Sequence, residues 1–97
     1  MLTHIVVWKY KPEVTEEQRR EHREMLGRLP GLVPGIQSFA VGADVLGLPR
    51  SYHTGLVAVF RDRAGLDTYD AHPEHQAVAR HGRTISEHVA SVDFEGD

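Results

Sequence analysis

The sequence predicts an α+β domain: a four-stranded antiparallel sheet with helices on one face, in the order β-α-β-β-α-β of the split βαβ, ferredoxin-like arrangement. Three observations predict it. Runs rich in β-branched and aromatic residues lie near both ends, at 2–10 and about 88–95. Two more strand-like runs lie at 33–42, after a short turn, and at 53–60. Helical periodicity fills the two remaining intervals, 14–32 and 61–82. The chain has 97 residues, with no internal linker or low-complexity run, so it reads as a single domain, 1–97.

Each element has a local reason. In "LTHIVVWKY" (2–10), alternation puts His4, Val6, Trp8 and Tyr10 on one face and Thr3, Ile5 and Val7 on the other. Both faces carry apolar residues, so both require burial. The helix over 14–32 opens on Thr15 and Gln18, spaced as a capping box, with Glu16 and Glu17 at the positive end of its dipole. His22, Met25, Leu26 and Leu29 form its inner stripe, and Pro30 with Gly31 is expected to end it. The segment 43–52 carries Gly47 and Pro49 and no clear period, so it reads as a loop. Asp62 is placed to cap a short helix that ends at Pro73. Proline also fits a first helical position, so Pro73 opens a second short helix, "PEHQAVARHG".

Composition excludes several classes. Net charge is −3 and the pI about 6.1, without the basic face of a nucleic-acid binder. There is no cysteine, hence no disulfide and no thiolate metal site. The first residues lack a basic segment before the apolar run, and that run is too short to span a bilayer; a cytoplasmic, non-membrane protein is expected. Helices on one face leave the other face of the sheet apolar and open. The expected solution is a two-fold homodimer packed through that face.

The stretch "YDAHPEHQ" (69–76) carries the candidate chemistry. His72 precedes Pro73 and reads as an N-cap. His75, Val78, Ala79 and Gly82 share the inward helical face, while Glu74, Ala77 and His81 lie on another. Tyr69 and Leu66 share the inner face of the preceding helix. A histidine in the first helical turn meets the positive end of the dipole and is held neutral, as a general base requires. A phenol beside it can donate to a carbonyl oxygen. His72 and His75 have a spacing that can chelate, with Asp70 or Glu74 adding oxygen, but they point apart and no metal is assigned. The bland readings are a satisfied buried histidine for His75 and core packing for Tyr69, with Trp8 in the core or the dimer interface and Asp93 bonding near the last strand's end.

The early-histidine strand "THIVVWKYK", "PGI" before the second strand, "F-x-D" after the third, "Y-x-x-H-P-x-H" at 69–75 and the closing "V-D-F" occur in sequence. Together they resemble the stress-responsive A/B barrel (Dabb, dimeric α/β-barrel) domain family, from about Leu2 to Phe94. The resemblance implies a dimer whose two sheets form a barrel. It does not imply one activity, since some members have no assigned reaction. The motif is also similar to that of olivetolic acid cyclase, whose aldol cyclisation of a polyketide uses no cofactor. That similarity implies catalytic roles for His75, Tyr69 and His4; the cyclase's third-strand histidine falls nearer Thr54 than His53. The reading is therefore a homodimer with a pocket for a small apolar ligand and cofactor-free acid/base chemistry. Trp8, Leu66, Val78 and His53 are expected to line the pocket. A non-catalytic stress or assembly protein and a cofactor-free monooxygenase are the alternatives.

Overall fold

The computed structural model describes residues 1–96; Asp97, the last residue of the expected domain, lies outside them. The elements are β1 (Leu2–Tyr10), α1 (Glu16–Gly27), α2 (Leu29–Leu32), β2 (Ile36–Ala43), β3 (Thr54–Phe60), α3 (Arg63–Ala71), α4 (Pro73–Ile85) and β4 (Ser86–Glu95). The four strands form one sheet in the order β2-β3-β1-β4, and β1–β3, β1–β4 and β2–β3 are all antiparallel. This is the expected α+β, ferredoxin-like architecture.

The caps read from the sequence are present. Thr15 Oγ1 accepts from Gln18 N–H at 3.1 Å, and Gln18 Oε1 accepts from Thr15 N–H at 2.8 Å. Asp62 accepts from Gly65 N–H at 3.0 Å. Two boundaries differ. The helix expected over 14–32 breaks at Arg28, and Pro30 belongs to a new single turn, α2, instead of closing the old one. Proline has no N–H to offer the preceding turn, so the chain restarts there. The helix opened by Pro73 runs past Gly82 to Ile85 and passes directly into β4. Gly82 is thus a packing glycine and not a stop signal.

Gly82 is small because two rings press on α4. A β-carbon built on it would lie 2.9 Å from His22 Nε2 and 3.0 Å from Trp8 Nε1. His22 is fully buried, its ring edge-on to Trp8 at 5.1 Å and to Tyr10 at 5.6 Å. Its Nδ1 is 2.7 Å from the Tyr10 hydroxyl, which donates to Thr54 Oγ1 at 2.8 Å. With that proton committed to Thr54, His22 Nδ1–H is the donor to Tyr10. Nε2 is then an unprotonated lone pair, buried and without a partner. Burial, followed by the neighbouring His81 and Arg23, lowers the His22 pKa to about 4.

These contacts fix the orientation of β1. Leu2, Trp8 and Tyr10 pack in the core with Leu56, Ala58 and Phe60 of β3, under Leu26, Leu29, Leu66, Tyr69 and Val78 of the helices. Cross-strand register puts Ile5, Val7, Val57, Val59, Ala90 and Val92 together on the opposite face. Among the described residues no helix covers that face, and Val92 is 54% and Phe94 49% exposed.

Two outcomes follow. Gly82→Ala is expected to lower stability by about 1–2 kcal/mol despite alanine's better helix propensity, because overpacking outweighs it. In Gly27, where the nearest atom to an added β-carbon is 3.9 Å away, Ala is expected to be neutral or stabilising. Thermal melts of both variants check this; an unchanged or raised Tm for Gly82→Ala contradicts the packing. The folded His22 pKa is below the unfolded value near 6.5, so the unfolded chain binds the extra proton. The stability His22 contributes is complete above pH 6.5 and is lost on the order of 2–3 kcal/mol as pH falls toward 4. Urea titrations across that window should show a slope that His22→Gln flattens.

Candidate functional site

The helix pair α3–α4 presents the motif. Leu66 and Tyr69 form the buried face of α3. His72 ends α3 in extended conformation and caps α4, its Nδ1 accepting from Glu74 N–H at 3.1 Å. Pro73 takes the first helical position, which places His75 in the first turn of α4. The Tyr69 and His75 rings are thereby brought to 4.2 Å between centroids at 44°.

These rings face a cleft of about 210 Å³ between the helices and the sheet. Its wall carries His4, Val6 and Trp8 from β1, Tyr69 and Asp70 from α3, His75, Ala79 and Arg83 from α4, and Val89 and Ser91 from β4. Ligand pockets for drug-sized molecules are commonly ~300–1,000 Å³, so this one suits a small molecule or one end of a longer one.

His75 Nδ1 lies 3.3 Å from the Asp70 carbonyl oxygen. A carbonyl only accepts, so Nδ1 carries the proton and Nε2 is the basic nitrogen. Burial lowers the His75 pKa; the Asp70 carbonyl and carboxylate oppose this and His4 and Arg83 reinforce it. Its position in the first turn of α4 works in the same direction, since the helix dipole disfavours imidazolium. The Tyr69 phenol is pushed well above its ordinary value, by burial first and then by Asp70. At neutral pH the pair is thus an imidazole with a free lone pair beside an un-ionised O–H donor.

His4 completes the group. Its ring lies 6.1 Å from that of Tyr69 and 6.5 Å from that of Phe60. Antiparallel pairing of β1 with β4 sets His4 opposite Asp93, and the Asp93 carboxylate accepts from His4 Nδ1–H. The carboxylate fixes the ring's tautomer and orientation, leaving Nε2 as its other polar edge.

Four of the residues singled out in the sequence therefore converge: His75, Tyr69, His4 and Trp8. The other three do not line the cleft. Val78 is core, because on α4 it lies about 60° to one side of His75 while Ala79 lies about 40° to the other, and the cleft is on the Ala79 side. Leu66 faces an adjacent recess with Leu2 and Asp93. His53 precedes β3 and stacks on Tyr10 at 5.8 Å, its Nδ1 accepting from Tyr10 N–H at 2.9 Å. Thr54, one residue on, is the one turned into the buried side. Arg83 and Asp93 are in or beside the cleft and carry no motif signal of a site, while Asp70, which also lines it, reads from the sequence only as a possible metal oxygen. The signal for Arg83 is its spacing, eight residues after His75 with Ala79 midway; Asp93 needs the strand register. His72 and His75 use their Nδ1 atoms on separate backbone groups, and no cluster of three metal-ligating side chains occurs among the described residues.

Fold and site define a class before any particular family: a split βαβ sheet domain with a histidine–tyrosine cleft under its second helix pair. The chain belongs to the stress-responsive A/B barrel domain (Dabb) family, whose model matches residues 2–96. A comparison with curated proteins finds no match. Among solved structures it is similar to a dimeric ferredoxin-like protein of unknown function from Thermobifida fusca, with 25% identity, TM-score 0.89, and coverage of 98% of this chain and 90% of that one. A protein from Arabidopsis thaliana has 22% identity and TM-score 0.87, covering 100% and 96%. A hydroxynitrile lyase from Passiflora edulis shares the fold at 16% identity and TM-score 0.89, covering 99% and 93%.

The tautomer and charge state of His75 are directly measurable. Long-range proton–nitrogen NMR is expected to show a protonated Nδ1, an unprotonated Nε2, and a titration midpoint below 6.5. A midpoint above 6.5, or the opposite tautomer, contradicts the site as described.

Proposed function

We propose that this protein is a homodimeric small-molecule enzyme that abstracts a proton α to a carbonyl, with polyketone aldol cyclisation as the reaction class. The observation that carries it is the pairing of a neutral His75, lone pair on Nε2, with the Tyr69 phenol at one end of an apolar cleft.

The step balances within the cleft. His75 Nε2 takes a proton from a carbon between two carbonyls, and the C–H electron pair moves onto the carbonyl oxygen. The Tyr69 O–H donates to that oxygen as charge develops, among the mostly apolar walls of the cleft. The enolate carbon attacks a second carbonyl of the same chain, forming the ring's C–C bond. The new alkoxide receives a proton from the His75 imidazolium, restoring the base. His4, held by Asp93, lies close enough to assist at the second carbonyl. No cofactor enters these steps.

The dimer is the other half of the proposal. The open apolar face of the sheet supports it, as does the description of the Thermobifida fusca neighbour as dimeric. Two such faces packed together form the barrel, with one cleft per protomer on the outer, helix side. The cytoplasmic setting expected from the sequence belongs to the same proposal.

The test is turnover of β-polyketone substrates. His75→Ala is expected to reduce kcat by about 10²-fold or more, the usual worth of a positioned base. Tyr69→Phe should lose about 10²-fold, as for an oxyanion donor. The rate should rise with pH along a limb below 6.5, where His75 loses its proton. Activity unchanged in both variants would leave the motif as helix-end packing in a non-catalytic protein. Replacing Val92 with Lys should split the dimer, read by sedimentation.

A further inference from the structure

We infer that Arg83 anchors an anionic head group, so that the cleft selects an amphipathic carboxylate and fixes the direction in which it lies. This rests on the reading of the cleft as a ligand site and names the chemistry of one of its ends.

Three features of the cleft point there. First, His75, Ala79 and Arg83 all line the cleft from α4. They lie at i, i+4 and i+8, so they stand in a row about 12 Å long. Side chains on a helix lean toward its N-terminus, so the Arg83 stem leans back over Ala79 toward His75. Its positive charge is felt at the His75 ring.

Second, Arg83 is in no ion pair among the described residues. Among the described residues, the ion pairs are Arg19 with Glu16, Arg20 with Glu17 and Glu24, and Arg63 with Asp67, while His4 is hydrogen-bonded to Asp93. A guanidinium on the wall of a mostly apolar cleft offers a planar fork of donors that matches a carboxylate.

Third, the opposite end of the trough is acidic. Asp70 lines both the cleft and the neighbouring recess, where Asp67, Asp93 and Glu95 join it. The one arginine of that recess, Arg63, is committed to Asp67 at 3.0 Å. A ligand anion is repelled there and attracted at Arg83. Its apolar body then lies along Ala79, Val6 and Val89, and its more distant carbons reach Tyr69 and His75.

The experiment uses octanoate and its uncharged isostere octanamide as probes, titrated calorimetrically into the full chain at low salt. Octanoate is expected to bind about five- to tenfold more tightly than octanamide, as one charge-assisted contact at a partly solvated site allows. Arg83→Ala should erase that preference, weakening octanoate more than octanamide, and Arg83→Glu should invert it. Ala79→Phe, which narrows the cleft, should weaken both probes; Ser91→Phe, on the exposed wall, serves where the first variant fails to fold. An acid preference that survives Arg83→Ala overturns the anchor, and so does a loss of stability in that variant with the preference intact. Binding of both probes that is indifferent to Ala79→Phe and Ser91→Phe overturns the cleft as the ligand site, separately from the role of Arg83. Absence of binding by either probe overturns both.

Discussion

Everything in this structure depends on a central strand that has to be buried on both sides. β1 pairs with β3 on one edge and β4 on the other, so its backbone is satisfied along its length. Its two faces are both apolar and solve the burial problem differently. One is closed by the helices, through Trp8 and Tyr10 against His22, Leu26 and α4. The other, with Ile5 and Val7 beside Val92 and Ala90, has no helix over it. Because side-chain direction alternates strictly along a strand, choosing the face for Trp8 also chooses it for His4 and for Ile5. The candidate site and the expected interface are thus set by one decision.

What makes that decision is a small buried polar network, and it is an unusual determinant for a core. Arg23 donates to Thr54 at 3.4 Å, Tyr10 donates to the same oxygen, and His22 donates to Tyr10. Apolar residues alone leave the two parities of β1 nearly equivalent. The network does not, since Tyr10 on the other face would strand the His22 donor in the interior. The helix side of the sheet is also incompletely covered. On β4, Val89 and Ser91, which line the cleft, remain exposed. That shortfall is the cleft.

The fold was legible in the sequence because its signals are local. Capping residues, proline at helix starts and strand-rich runs place the four strands and the helices α1, α3 and α4; the single turn α2 reads as the end of the first helix, and the last helix runs longer than its sequence signal. The convergence of Tyr69 and His75 was legible for the same reason, since only five residues, one of them a proline, separate them. The rest was not, and the cause is parity. Both faces of β1 and β3 read as apolar, so the sequence assigns His4 no side, and His53 reads as pocket where Thr54 holds the buried position. Val78 failed for a related reason: the inward stripe of α4 is wider than the cleft it borders. Asp93 is invisible as a partner of His4 until the β1–β4 register is known, because the two are 89 residues apart.

The central claim is that Tyr69, His75 and His4 converge on a space that a ligand enters, not on a filled core. The most direct measurement is a crystal structure of the protein grown with an aromatic hydroxy acid such as 2,4-dihydroxybenzoate, a stable mimic of a cyclised polyketone. The account predicts a dimer joined through the open sheet face, with the ring between Tyr69 Oη and His75 Nε2 in each protomer. A cleft closed by inward rotation of Trp8 or Leu56, with the acid bound elsewhere or not at all, would contradict it.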